Sequence, residues 1–271
     1  MDIVQRNFFR IIKSGAFEDK DTLEPISPFK WRKLYKLVLS QNVLIPFAKG
    51  VNNYTQDKNL SLPIDLINEV KTKLIENKNT VNNRKINNKL IINFFRQRKY
   101  KSIVYKEKHS IDTSIETLNV LYLIIFNMNK MINSGLYFEG IIELGQFLRA
   151  KGQKVDFVKL EKWIYTLSLK RITQLQGYIL ITMFQFAPEE LPFIHKETKR
   201  SKRHKNHTIA KLLKDNAKKQ RLKEKKLSLV YNNNTIIKNI KYTYHYFYYA
   251  PIETIFNFFY NIIKNIVDIE E

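Results

Sequence analysis

Seven glycines and seven prolines in 271 residues leave this chain short of the residues that turn one β-strand into the next. A β-sandwich or propeller needs a turn every few residues, so the count argues against those folds. Apolar residues recur instead at the 3.6-residue helical period along most of the chain. Val4, Phe8, Ile11 and Ile12 share one face, and Gly15 suits the stop of that first helix. Ser27-Pro28 reads as an N-cap followed by proline in the first turn, with Trp31, Leu34, Tyr35 and Val38 behind it. Pro46 and Gly50 read as a break, and a helix from about Pro63 carries Leu66, Ile67, Val70 and Leu74. The expected fold class is all-α, an irregular helical bundle with basic loop or extended-helix segments.

Further along, Ile86, Leu90, Ile91, Phe94 and Phe95 keep a helical spacing inside an Asn/Lys-rich stretch. Leu118–Ile132 is apolar on nearly every side and too short and polar to span a bilayer, which predicts a buried central helix ended by Gly135. A helix from about Phe138 carries Ile141, Ile142, Leu144 and Leu148 and ends near Gly152, and Gly140 and Gly145 within it suit close helix packing. Asp156 is the best-signalled N-cap, with Val155 and Leu160 at the staple positions. Ser168 reads as the cap of a helix with Ile172, Leu175, Ile179 and Met183 inward, closed by Ala187-Pro188 and Leu191-Pro192. The aromatic run Tyr242–Tyr249 reads as core or bundle edge. The helix after Pro251 aligns Ile252, Ile255, Phe256, Phe259, Ile262, Ile263 and Ile266 on one face, expected to pack on its own domain. Five segments follow: a helical region at 1–76, a basic linker or amphipathic helix at 77–110, a helical bundle at 111–194, a basic low-order segment at 195–235, and the aromatic segment and last helix at 236–271.

Charge divides the chain differently. Lys and Arg number 47 against 25 Asp and Glu, a net charge of +22. Residues 82–108 carry +8 of this and residues 195–226 carry +11, so 59 residues hold +19 and the other 212 are nearly neutral. AT-rich codon usage is a rival explanation for part of the lysine excess, since Lys, Asn and Ile supply 96 residues, but it explains the clustering less well. Dense charge of one sign repels itself, so both blocks are expected at the surface. The candidate polyanion-binding residues are Arg84, Lys85, Lys89, Arg96, Arg98, Lys99, Lys101, Lys199, Arg200, Lys202, Arg203, Lys205, Lys218, Lys219 and Arg221. Exposed cations hold phosphates by counterion release, and aromatics nearby stack on unpaired bases. The expected partner is a nucleic acid or an acidic protein, with a membrane surface as an alternative through 252–267.

No reaction is announced. With no cysteine, disulfides, thiolate metal sites and cysteine nucleophiles are excluded. Asp19-Lys20-Asp21 and Asp268-Ile269-Glu270 are the close carboxylate pairs that could imitate a metal-binding Asp-x-Asp; one reads as a polar loop, the other as a tail. His204 and His207 lie within a cationic block that repels metal ions. Phosphate-binding glycine loops and the Gly-x-Ser-x-Gly elbow are absent. No cofactor and no small-molecule ligand are expected. The first nine residues lack the basic and apolar regions of a signal peptide, which places the chain in the cytoplasm as an expectation.

One resemblance adds to this. Phe8-Phe9-Arg10-Ile11-Ile12-Lys13-Ser14-Gly15, Phe29-Lys30-Trp31-Arg32-Lys33-Leu34-Tyr35 and Gln41-Asn42-Val43-Leu44 come first. Leu121–Ile125, Gly140-Ile141-Ile142-Glu143-Leu144-Gly145 and Lys159-Leu160-Glu161-Lys162-Trp163 follow in order. Together they resemble the helical parts of a broad, uncharacterised Bacteroidales family of nucleotidyltransferases, over roughly 1–75, 110–195 and Pro251–Ile266. The resemblance implies a polymerase-β-type core after the first helical region, with a Gly-Ser pair and two metal-holding carboxylates. The matching stretch here, about 76–110, has no Gly and no Asp, and Glu76 and Glu107 are its only acids. No catalytic residue carries over. The resemblance therefore implies a member without the catalytic insert, or a divergent enzyme with carboxylates gathered from elsewhere.

Overall fold

The computed structural model describes residues 1–56, 61–80, 91, 93–195, 199, 201–211 and 245–270, with side chains for all but 77–80 and 261–270. Among these residues there is no strand, and the fold is an all-α bundle. Two compact units divide it, the first holding α1–α4 and the second α5 onward.

In the first unit, α1 is Ile3–Phe17, α2 Pro28–Ser40, α3 Leu44–Asn53 and α4 Ile64–Thr80. Asp2 opens α1 with a capping box: its carboxylate accepts from the Gln5 amide at 2.8 Å while the Gln5 side chain accepts from the Asp2 amide. Ser27 and Pro28 start α2 as expected. Two expectations are corrected. Gly15 does not stop α1, which runs on to Phe17 and ends at the left-handed Glu18 (φ 60°). Pro46 and Gly50 do not break the chain but lie inside α3, where Pro46 occupies the first turn and its missing N–H has no helical acceptor to lose. Both glycines serve the same purpose, a close crossing of α1 over α3 in which backbone meets backbone. The Asp19/Asp21 pair is spent on a buried cation: the Lys13 ammonium sits 3.2 Å from Asp19 and 2.6 Å from Asp21.

The second unit starts with α5, Phe94–Lys108, and centres on α6, Ile115–Ser134. Then come α7 (Phe138–Lys151), α8 (Phe157–Thr166), α9 (Lys170–Phe184), α10 (201–211) and α11 (Pro251–Glu270). Helix α6 is the expected buried one: Val120, Leu121, Ile124, Ile125 and Met128 are sealed beneath α5, α7, α8, α9 and α11, and Gly135 at φ 92° ends it. The polar interruption at Asn127 is structural, since its amide reaches the Gly140 carbonyl (2.9 Å) and Gln176 (3.2 Å), joining α6 to α7 and α9. Gly140 is a packing glycine as expected, because a Cβ there would meet the Asn127 side chain at 2.0 Å. Asp156 caps α8 through the Lys159 amide, and Val155 and Leu160 are both buried. Ser168 is not the cap of α9; it takes a left-handed turn (φ 52°) that reverses the chain, and Leu169 occupies the cap position.

Helix α11 overturns its expectation most sharply. Among its described side chains the buried ones are Glu253, Thr254 and Asn257, while Ile252, Ile255, Phe256 and Phe259 remain 38%, 40%, 41% and 58% exposed; the side chains of Ile262, Ile263 and Ile266 lie outside the described residues. The cause lies in its partners. Glu253 pairs with Arg96, and the Asn257 amide donates to Asn133 of α6 at 2.6 Å. The polar face is thus the one that the bundle holds.

Candidate polyanion interface

Helix α5 is set by Asn93, whose side chain accepts from the Arg96 amide at 3.0 Å and satisfies a first-turn donor. Four residues at helical spacing, Arg96, Tyr100, Ile103 and Glu107, turn toward the bundle. Both charged ends of this face find partners. Arg96 meets Glu253, and Glu107 accepts from the Ser114 amide at 2.8 Å and from Lys159 at 3.1 Å. Glu107 is therefore spent on a structural link.

The outward face has a different make-up. Phe94, Arg98, Lys101 and Tyr105 succeed one another at steps of four, three and four, one row along the helix. Phe95, Lys99 and Lys106 form the adjacent row. Phe94 and Phe95 are 70% and 72% exposed, although they share the helical spacing of Ile91, which is buried. Tyr105 lies against His109, their ring centres 4.2 Å apart and their planes tilted by 32°. The helix thus shows water a mixed aromatic and cationic surface.

Helix α10 belongs to the second basic segment. Lys199, Lys202, Arg203, His204 and His207 are exposed. His204 packs edge-on to Tyr248 (4.9 Å) and flat on Tyr249 (5.7 Å). Arg171 of α9 lies 4.9 Å over the Tyr248 ring and donates to its carbonyl. The two basic segments therefore meet one short stretch: α5 touches Glu253, and α10 touches Tyr248 and Tyr249. Of the Tyr run, Tyr246 and Tyr249 are core as expected, whereas Phe247 and Tyr248 face water; Tyr242 and Tyr244 lie outside the described residues.

Of the candidate cations, Arg98, Lys99, Lys101, Lys199, Lys202 and Arg203 are at the surface as expected. Arg96 and Lys205 are corrections, for both are buried. Arg96 is drawn in by the Glu253 carboxylate. Lys205 sits over Tyr178 at 5.3 Å with its ammonium donating to the Gln174 carbonyl at 2.9 Å. Arg84, Lys85, Lys89, Arg200, Lys218, Lys219 and Arg221 lie outside the described residues. The outward row on α5 was missed by the sequence reading, yet its four–three–four spacing was there to be read. The Arg171–Tyr248 contact joins residues 77 apart and left no local signal.

Burial pushes the Lys205 ammonium down to about 8 from its ordinary 10.5. Between those values the unfolded chain keeps a proton that the folded chain has shed, so this residue makes stability rise with pH across the window. Lys205→Met should raise stability at pH 7 by about 2 kcal/mol, the shift being discounted for water that still reaches the site. It should also flatten the rise, both read from denaturant melts at pH 7 and pH 9.5. A variant less stable than the parent at pH 7, with the rise intact, would contradict this.

Among the described residues no group of three His, Asp or Glu side chains is placed to hold a metal ion, and no helix is long and apolar enough to cross a membrane. No family model, no curated protein and no solved structure matches this chain.

Proposed function

We propose that this protein binds a nucleic acid, single-stranded in preference to duplex, through the outward face of α5 with α10 alongside. The observation that carries the reading is the exposed row Phe94, Arg98, Lys101 and Tyr105, flanked by Phe95, Lys99 and Lys106. Cations at this spacing neutralise successive phosphates and release their counterions, which gives affinity without sequence preference. Aromatic rings between them offer stacking surfaces that only unpaired bases can use, worth ~1–3 kcal/mol per base. The contact of both basic segments with residues 248–253 supports a single continuous binding region in the second unit. On this reading the chain is a non-catalytic binding protein, a relative of the nucleotidyltransferase-like family that carries the helical framework alone.

The test is fluorescence anisotropy with a labelled single strand and its duplex across a salt series. Binding should weaken steeply with salt, and Arg98→Ala/Lys101→Ala should lower the slope of log K against log salt by about 1.4. Phe94→Ala/Tyr105→Ala should instead cost affinity for the single strand at an unchanged slope. No binding at low salt, or binding indifferent to salt, sinks the proposal.

A further inference from the structure

The apolar row on α11 is exposed, and the helix cannot be turned to hide it. Glu253 is held by Arg96 and Asn257 by Asn133, so the bundle has already taken the polar face. The row begins before the helix does: Phe247 and Tyr248 are about half exposed, and Ile252, Ile255, Phe256, Phe259 and Tyr260 continue it. The sequence extends the same spacing through Ile262, Ile263 and Ile266. At its start stands a cation, Arg171, whose guanidinium lies over the Tyr248 ring, with exposed Lys202 and Arg203 on the helix that packs His204 against the same ring. A strip of Ile and Phe headed by Tyr and Arg has the make-up of a surface that lies in the boundary between lipid headgroups and acyl chains.

We infer that α11 docks on an anionic membrane surface, lying along it with Ile252, Ile255, Phe256 and Phe259 among the acyl chains and Arg171 among the headgroup phosphates. Charge chooses this occupant over a second copy. Each chain carries +22, so two copies repel, whereas an anionic leaflet attracts. Glu253 at the start of the helix is already paired with Arg96, and the other acids of this stretch, Asp268, Glu270 and Glu271, come at the end of the sequence, which leaves the first half as the docking end. The inference rests on the apolar row of α11 and on Arg171, whereas the nucleic-acid reading is carried by the outward face of α5; α10 is shared by the two.

The experiment is co-sedimentation of the full chain with vesicles of phosphatidylcholine alone and of phosphatidylcholine mixed with phosphatidylserine. The protein should pellet with the mixed vesicles and stay in solution with phosphatidylcholine alone. Phe256→Asp/Phe259→Asp should weaken vesicle binding at least ~100-fold, and Arg171→Glu about tenfold at low salt. Arg98→Ala/Lys101→Ala should leave it within about twofold, which separates this surface from the nucleic-acid one. A Phe256→Trp variant should shift its emission to the blue on vesicles, a readout of insertion that charge attraction alone does not give. Three results each overturn the inference: a protein that stays off the mixed vesicles, aspartate variants that bind as the parent does, or a dimer in sedimentation velocity that Phe259→Asp splits. In the last case a second copy covers the row.

Discussion

Gly15→Ala should cost at least about 3 kcal/mol, with the loss confined to the first unit. A Cβ at residue 15 would sit 1.9 Å from the Pro46 carbonyl oxygen and 2.4 Å from the Gly50 amide nitrogen, and one at residue 50 would sit 2.0 Å from the Ile11 carbonyl oxygen. These are backbone atoms, so no side-chain rotation relieves the clash. The helices must move apart, and α1 against α3 is the most extensive pairing in the unit. Phe8, Ile11, Ile12 and Phe47 are fully buried around that crossing and would lose their contacts together. Overpacking usually costs about 1–3 kcal/mol and more where backbone must shift, against a total of about 5–15 kcal/mol for a domain. Gly50→Ala should behave alike, and the pair should be less than additive because one separation relieves both. Gly152→Ala is the control: it lies in right-handed helical conformation with open space around it, and should be neutral or stabilising by a few tenths to about 1 kcal/mol. Denaturant melts give the magnitudes, and hydrogen exchange over 3–53 locates them. A Gly15→Ala protein as stable as its parent would mean that α1 and α3 do not cross at these residues.

The same glycine shows what a sequence displays and what it conceals. Caps are local, and so Asp156, Gly135 and Ser27-Pro28 could be read where they stand. The buried helix α6 could be read because apolar residues surround it on every side. Gly15 could not, since a stop and a close approach place the same residue at the same spot, and the deciding partner is 35 residues away at Gly50. Helix α11 misled for a related reason. Its apolar spacing was correctly seen, and the inference that apolar means inward failed because Arg96, 157 residues away, claims the opposite face. Charge also misled at Arg96 and Lys205. A cluster of cations predicts a surface on average, but one member with a buried carboxylate or carbonyl in reach can be drawn inside. On the candidate interface, composition located the basic segments, and only the fold separated the cations that face water from those that hold helices together.

Arg96→Met and Glu253→Leu should each destabilise the second unit by about 3–5 kcal/mol, and the double variant should return to within about 1 kcal/mol of the parent. Arg96 and Glu253 are both buried, and the pair pins the start of α5 to the start of α11. Burial raises the Glu253 carboxyl above its ordinary value and the neighbouring guanidinium holds it down, while one carboxylate oxygen has no hydrogen-bond partner. Removing Arg96 leaves a buried carboxylate without its counter-charge. Its pKa then rises further, so the folded chain binds a proton that the unfolded chain releases, and the loss is greatest at neutral pH and eases on acidification. Removing Glu253 leaves a buried guanidinium that does not shed its proton, so that loss should not ease in acid. Removing both takes two charges out of a site where their desolvation nearly cancels their attraction, which is why the double variant recovers. A double-mutant cycle by denaturant melts at pH 7 and pH 4.5 reads the coupling, and simple additivity would show that the two side chains do not meet. The cycle also reports on the proposed interface. Because the pair positions α5, each single variant should weaken nucleic-acid binding and the double should restore it, although none of the three alters a surface cation.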